Sequence, residues 1–552
     1  MNRRDFLLKA LLTLPVTSSL PLLLNLTGCQ KKEQLNYFNP ELKDDIYIQL
    51  NLYGAPSRWS FDDLLTPYKK ADFISGPRVG NIFADDSGAL KYQTFEHRSL
   101  NLPPLWKEVF TINGNKRRLT DYLDNFIFIR GIHSHNAGHP AGGVNTVRPS
   151  LDSDSILENL SGRIDSLLPP IMIGDNPVTR SFNSAAFNGL QVNTRNGELF
   201  KEVFNPFHIS SQSKSLFNKD DSLKFYNETL SLFKNKKQEN YYANLEKTKQ
   251  LFFDDFESLQ LEYLEILEKY LLNMHTALND IKIPGVDNIE IKTPEPSEYQ
   301  NLSGDEAKKK YGRFAINIGH YLTNSPNVDF KSGGMDLWAE QFALSEFLLK
   351  KGLTNVIQLS TPLEMGHTLS GIKTQGFHTQ GSINKGKKTI DVSMDAHHVG
   401  SVINNYATNR FFTGLSACLM TFIDELKSIK LKSPQTLFDK TLIHITSEFN
   451  RITRDDLSGS DHLGASCTST FISGKNHTPL SFGNIKISDT RNSETNGESA
   501  IQKEFSRELT QKDVLHTVYE LLEIPSPLKR AEKLLELKNG SINPLIKKAQ
   551  NI

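Results

Sequence analysis

Histidine and aspartate gather in a few short stretches of this sequence, and stretches that pair the two are ligand sets for a divalent cation. Asp395-Ala396-His397 sets a carboxylate and an imidazole two residues apart, a spacing that an extended loop can turn toward one ion. Gly459-Ser460-Asp461-His462-Leu463-Gly464 is more specific, because flanking glycines free the backbone to bring both side chains to a common point. In Ser447-Glu448-Phe449-Asn450-Arg451 a carboxylate follows an apolar run, where Glu448 can ligate a metal and Arg451 can bind an anionic ester. Each pattern has an ordinary counterpart: a turn for the Asp-His pairs, and a carboxylate paired with its own arginine for Glu448. Asp395, His397, Glu448, Asp461 and His462 are therefore the candidate metal set, for zinc, manganese, calcium or magnesium, and metal-activated water is the chemistry they would support. His133 and His139, from a stretch that also holds His135, are candidate substrate contacts beside Arg451. Thr146, Ser150, Ser153 and Ser155 follow that stretch, and no one of them is singled out as a nucleophile. His444 sits inside an apolar run and reads as a hydrogen-bonded core residue.

Positioning these groups falls to four short runs dense in β-branched and aromatic residues, 45–51, 125–130, 355–360 and 441–446, which read as strands. Read as apolar on both faces, they suit a buried parallel sheet. Helical patterns at 336–351 and 402–431 alternate with them, which predicts an α/β layered domain with its site beyond the carboxyl ends of the strands. From 220 to 280 Leu, Phe and Tyr recur at helical spacing among Lys and Glu, the pattern of one or two inserted amphipathic helices that pack without chemistry.

The amino terminus is an address. Arg3-Arg4-Asp5-Phe6-Leu7 precedes an apolar stretch broken by Pro15 and Pro21, which reads as a cleaved twin-arginine signal better than as a membrane span. Leu26-Thr27-Gly28-Cys29 has the form of a lipobox, with Cys29 taking the lipid, and Gln30 after it fits outer-membrane sorting. The expected layout is a signal over 1–28, a tether over 29–44, an α/β domain over 45–206 and 301–552, and a helical insertion over 207–300. The expected location is the periplasm, lipid-anchored at the outer membrane after passage through the twin-arginine translocase. With 63 basic against 63 acidic side chains and no concentrated basic stripe, nucleic acid is set aside as the main partner. Only Cys418 and Cys467 remain in the mature chain, so disulfides are not its main source of stability.

These motifs together resemble the bacterial twin-arginine proteins grouped as the domain of unknown function 1501 family, which look like relatives of the alkaline phosphatase and sulfatase superfamily. The resemblance spans most of the mature chain. It is carried by the arginine pair, Gly54-Ala55-Pro56-Ser57 after the first strand, Asp395-Ala396-His397, Ser447-Glu448-Phe449-Asn450-Arg451, Ser460-Asp461-His462 and the closing Thr510-Gln511-Lys512-Asp513-Val514-Leu515. It implies a mixed, mostly parallel sheet between helical layers with an inserted helical segment, divalent ions at the carboxyl ends of the strands, and sulfate or phosphate esters as substrates. Two positions depart from the pattern: Ser60 stands where the family has a metal-binding Asp, with Asp62 as a possible substitute, and Phe449 stands where metal-binding relatives have His. The sequence thus leaves two readings open. One is a metal-dependent ester hydrolase; the other is an envelope binding or assembly protein on a scaffold that has lost its metal centre.

Overall fold

The computed structural model describes residues 45–64, 95–136, 138–148, 155–161, 166–174, 190–192, 199–204, 256–282, 320–329, 334–361, 366–374, 389–393, 401–431, 434–453, 460–486 and 498–546, with a few isolated residues between 223 and 250. Arg3, Arg4, Cys29, Asp395 and His397 lie outside the described residues.

Strands β1 (Ile46–Asn51), β2 (Phe126–His133), β3 (Ile171–Ile173), β4 (Leu190–Val192), β5 (Val356–Ser360) and β6 (Thr441–Thr446) appear in chain order. They are followed by β7 (Asn450–Thr453), β8 (Ser460–Leu463), β9 (Cys467–Ser473), β10 (Leu480–Phe482) and β11 (Leu509–Thr510). Nine of these build one sheet in the order β10-β2-β9-β6-β1-β5-β3-β4, with β11 beside β2. β1 is central, parallel to β5 (Tyr47 opposite Val356) and to β6 (Ile46 opposite Thr441). β9 alone is antiparallel to both its neighbours, β6 and β2, so the sheet is mixed and largely parallel. β7 and β8 form a separate hairpin, and His320–Asp329, Gly366–Thr374 and Thr389–Ser393 form a three-stranded antiparallel sheet that ends just before Asp395.

Helices α1 (His139–Asn145), α2 (Phe256–Asp280), α3 (Gly334–Lys350), α4 (Ser401–Ser428) and α5 (Gln511–Leu521) flank the sheet. On one face Ile46, Ile48, Leu50, Ile357, Leu359, Ile443 and Ile445 share a core with Tyr270, Met274, Trp338, Phe342, Phe411 and Phe422 from α2, α3 and α4. On the other, Tyr47, Val356 and Leu442 meet Val514, Leu515 and Val518 of α5. Period-two alternation sends successive strand residues to opposite faces, so each strand serves both cores. α5 is capped at its start by its own first turn: the Thr510 N–H and hydroxyl both donate to Asp513 Oδ2, at 2.8 and 2.9 Å.

The expectation of strands apolar on both faces is corrected. Gln49, Asn51, Gln358, Ser360, His444 and Thr446 are fully buried, and all share the face of Tyr47. Gln358 Nε2 donates to Gln49 Oε1 at 2.8 Å, Gln49 Nε2 to Thr146 O at 3.1 Å, and Asn51 Nδ2 to Thr146 Oγ1 at 2.9 Å. Buried amides are tolerated where they meet partners, here the neighbouring strand for Gln358 and Thr146 at the end of α1 for Gln49 and Asn51. His444 follows its reading as a core residue, with Nδ1 2.9 Å from the Tyr47 hydroxyl and Nε2 3.2 Å from Ser469 Oγ. Burial pushes its pKa down to about 3. Within the segment expected to be helical, α2 is tied to α3 and α4: Lys269 Nζ reaches both Glu346 oxygens at 2.9 and 3.0 Å and Glu425 Oε1 at 3.0 Å. Among the described residues no helix is long and apolar enough to cross a membrane, and Cys418 and Cys467 are both buried and unbridged.

Candidate functional site

Because β1, β2, β5 and β6 run the same way, the segments that leave them converge at one edge of the sheet. β1 runs into Gly54 and Ala55, both left-handed at φ 94° and 46°, a turn that glycine makes freely and alanine under strain. The segment after β6 grips this turn. The Gly54 N–H donates to Glu448 Oε1 at 2.7 Å, while Arg451 donates from Nη2 to Gly54 O and from Nε to Ala55 O, both at 2.7 Å. The expectation that Arg451 meets an anionic ester gives way to a structural role, since its guanidinium is buried on backbone carbonyls and lies 5.8 Å from the centre of the Phe449 ring.

Glu448 itself is fully buried, and His139, at the start of α1, places Nδ1 2.7 Å from Glu448 Oε1. Helix α1 can come this close because Gly142 lies against Glu448: a Cβ at Gly142 would stand 3.0 Å from both Cβ and the carbonyl oxygen of Glu448. Glu448 Oε2 accepts no hydrogen bond from any described residue. The β7–β8 hairpin sets Arg451 opposite His462. The His462 ring lies 3.9 Å from that of Phe449 and edge-on to His139 at 4.6 Å, with Tyr53 5.7 Å from His139 on another side. His139 thus lies between Glu448 and His462; the sequence offered the latter two as metal candidates and His139 as a substrate contact. Asp461 is placed opposite Ile452 in the same hairpin, its side chain outside the described part. Among the described residues no three His, Cys, Asp or Glu side chains form a group arranged to hold a metal ion.

Other expected groups stand apart. His133 Nδ1 accepts from the His135 N–H at 2.9 Å, their rings 4.2 Å apart, beside β11 rather than at Glu448. Asp62 does not take the metal position: it receives Arg58 Nε at 2.6 Å and Arg58 Nη2 in a paired, fully buried ion bridge, and the Thr470 hydroxyl at 2.8 Å. Ser60 Oγ accepts from Asn409 Nδ2 at 3.2 Å. Thr146 is buried, with its hydroxyl donating to Gly143 O at 2.7 Å, and Ser155 caps Glu158, so neither offers an exposed nucleophile.

A buried charge cluster next to this edge escapes sequence reasoning. Asp63 accepts from Asn450 Nδ2 at 2.8 Å and Thr468 Oγ1 at 3.0 Å, while the Asn450 side-chain oxygen accepts the Arg451 N–H at 2.9 Å. Arg130 lies buried nearby, donating to Leu64 O at 2.7 Å. Desolvation drives the Asp63 pKa up to about 6, against the pull of Asn450, Arg130 and Thr468. The signals for this cluster were the Arg58 and Asp62 pair at helical spacing and an arginine inside the apolar run of β2. Comparison with protein-family models, curated proteins and solved structures returns no match for the chain.

Proposed function

We propose that the chain is an exported lipoprotein of the domain of unknown function 1501 family, with an alkaline-phosphatase-like sheet whose carboxyl edge hydrolyses sulfate or phosphate esters with a divalent ion. Support comes first from one atom: a buried carboxylate oxygen with no donor is costly, and Glu448 Oε2 is such an atom among imidazoles. A cation at that oxygen would compensate it. His462 and Glu448 would hold the ion, with Asp395, His397 and Asp461 completing the set from segments whose side chains lie outside the described residues. Bound there, the ion supplies neutralisation of ester oxygens and a more acidic water. The chain's own part is to keep Glu448 fixed through Gly54 and His139, to wall the site from water with Phe449 and Tyr53, and to hold the Gly54–Ala55 turn through Arg451. Export and anchoring rest on Arg3, Arg4 and Cys29.

Ser60 bound to Asn409, Asp62 bound to Arg58, and Phe449 packed under His462 favour the second reading, an envelope binding or assembly protein without a metal centre. Elemental analysis of the full chain purified from the periplasm separates them. The hydrolase reading expects stoichiometric divalent metal, reduced in Glu448→Ala and Asp461→Ala, together with turnover of a chromogenic sulfate or phosphate ester. Equal metal content in all three proteins, or none in any, rejects that reading and leaves the second. Normal export after Arg3 and Arg4 are both changed to Lys would remove the twin-arginine route.

A further inference from the structure

We propose that Glu448 fixes His139 as the tautomer protonated on Nδ1, so that Nε2 is the acceptor the ring presents to whatever binds at this edge of the sheet. The inference rests on the reading of that edge as the functional site, and it changes what His139 can do there. A carboxylate only accepts, so a ring nitrogen 2.7 Å from Glu448 Oε1 has to carry the hydrogen. The carboxylate cannot swing away to accommodate the other tautomer. The same oxygen takes the Gly54 N–H at 2.7 Å, and Gly142 of α1 packs so close to Glu448 that an added Cβ would stand 3.0 Å from its Cβ and carbonyl oxygen. His139 is the first residue of that same helix, and Phe449, His462 and Tyr53 pack around its ring. Carboxylate, backbone and rings therefore agree on one orientation.

Partners beyond the coordination shell set tautomers in this way, by binding the nitrogen that faces away from the ligand. The consequence is a sorting of ligand chemistry. A neutral ring with its proton on Nδ1 has nothing to donate from Nε2 to a sulfate or phosphate oxygen, so in that form His139 does not grip the anion. It offers a lone pair instead, which suits a cation, a water or a substrate hydroxyl. Glu448 is then a positioning residue for His139 as well as a group with one oxygen left over.

The test is a spectrum of the full chain with 15N-labelled histidine, recorded without metal or substrate at about pH 8, where ordinary imidazole is neutral. His139→Gln identifies the His139 signals. The expected result is a proton on Nδ1 in the wild-type chain, with that preference lost in Glu448→Ala. A wild-type ring protonated on Nε2, or a Glu448→Ala ring that keeps its Nδ1 proton unchanged, overturns the proposal. Should Glu448→Ala fail to fold, the wild-type ring decides alone. A chain that binds no metal and hydrolyses no ester but shows the Nδ1 proton would sink the hydrolase reading and leave this assignment standing.

Discussion

The two faces of the central sheet are made by alternate residues of the same strands, yet they are built on opposite principles. Ile46, Ile48 and Leu50 enter an apolar core under α2, α3 and α4, whereas Tyr47, Gln49 and Asn51 enter a face threaded by hydrogen-bonded amides and an imidazole. At the carboxyl edge the contrast reverses. Arg130 and Thr470 continue the rows of Phe128 and Ile472, so the apolar face is closed by the charged group of Arg58, Asp62, Asp63 and Arg130. Hydrophobic burial supplies the bulk of stability, at about 1.5–3 kcal/mol for each large side chain, while buried polar groups fix which arrangement forms. The difference teaches that the edge where loops converge is held by charge and geometry, not by oil.

Substitutions can break this contrast. The largest loss is expected for Asp62→Ala, which strands the buried Arg58 guanidinium: about 3–5 kcal/mol in urea unfolding. A loss under about 1 kcal/mol would mean that the ion bridge does not close the apolar face. Ile48→Ala should cost about 2–5 kcal/mol by leaving a cavity. Its neighbour Gln49→Ala should cost about 1–3 kcal/mol, because Gln358 Nε2 and Thr146 O lose their partner. A reversed order for this pair would contradict the assignment of the two faces. Leu272→Gln, on the exposed side of α2, should change stability by less than about 0.5 kcal/mol.

Acid sharpens the comparison, because it acts on the two faces in opposite directions. Asp63, closing the apolar face, has its folded pKa raised from 3.8 to about 6. The folded state therefore binds that proton more tightly, and the stabilisation is full below pH 3.8 and lost as pH rises through 6, about 3 kcal/mol in all. His444, on the polar face, is pushed down from 6.5 to about 3, so its contribution is full above pH 6.5 and is lost as pH falls. Between pH 4 and 6 the two oppose each other. Thermal unfolding of Asp63→Asn should show a steeper loss on acidification than the wild type, and His444→Gln a gain relative to it. Parallel curves for all three proteins would refute both assignments.

Much of this architecture was legible in the sequence, because β-branched runs and helical periodicity are local. The strand runs at 355–360 and 441–446 and the helix that became α3 fall within a residue or two of observed bounds. The three-stranded sheet before Asp395 was not legible, since Gly366–Thr374 alternates weakly and Thr389–Ser393, though it alternates, is short and gains its meaning from pairing with it. At the site, Glu448, His139 and His462 were visible as residues. The contact between Glu448 and His139 was not, because it joins positions 309 apart through a sheet edge. Arg451 was misread for the same reason: its carbonyl partners, on Gly54 and Ala55, lie some 400 residues away in sequence, 397 for Gly54. Asp62 looked like a metal substitute until burial joined it to Arg58, four residues before it.

β1 carries a consequence for the order in which the molecule can assemble. Its two flanking strands come from far downstream, with Gln49 bonded to a residue 309 positions later and Tyr47 to one 397 later. β9, which joins β2 to β6, is later still. Native contacts this distant close slowly, because loop entropy is spent before any of them forms. During synthesis β1 emerges early and waits with both edges unpaired while most of the chain is made. A chaperone thus has a long interval in which to shield a strand that has nothing to pair with.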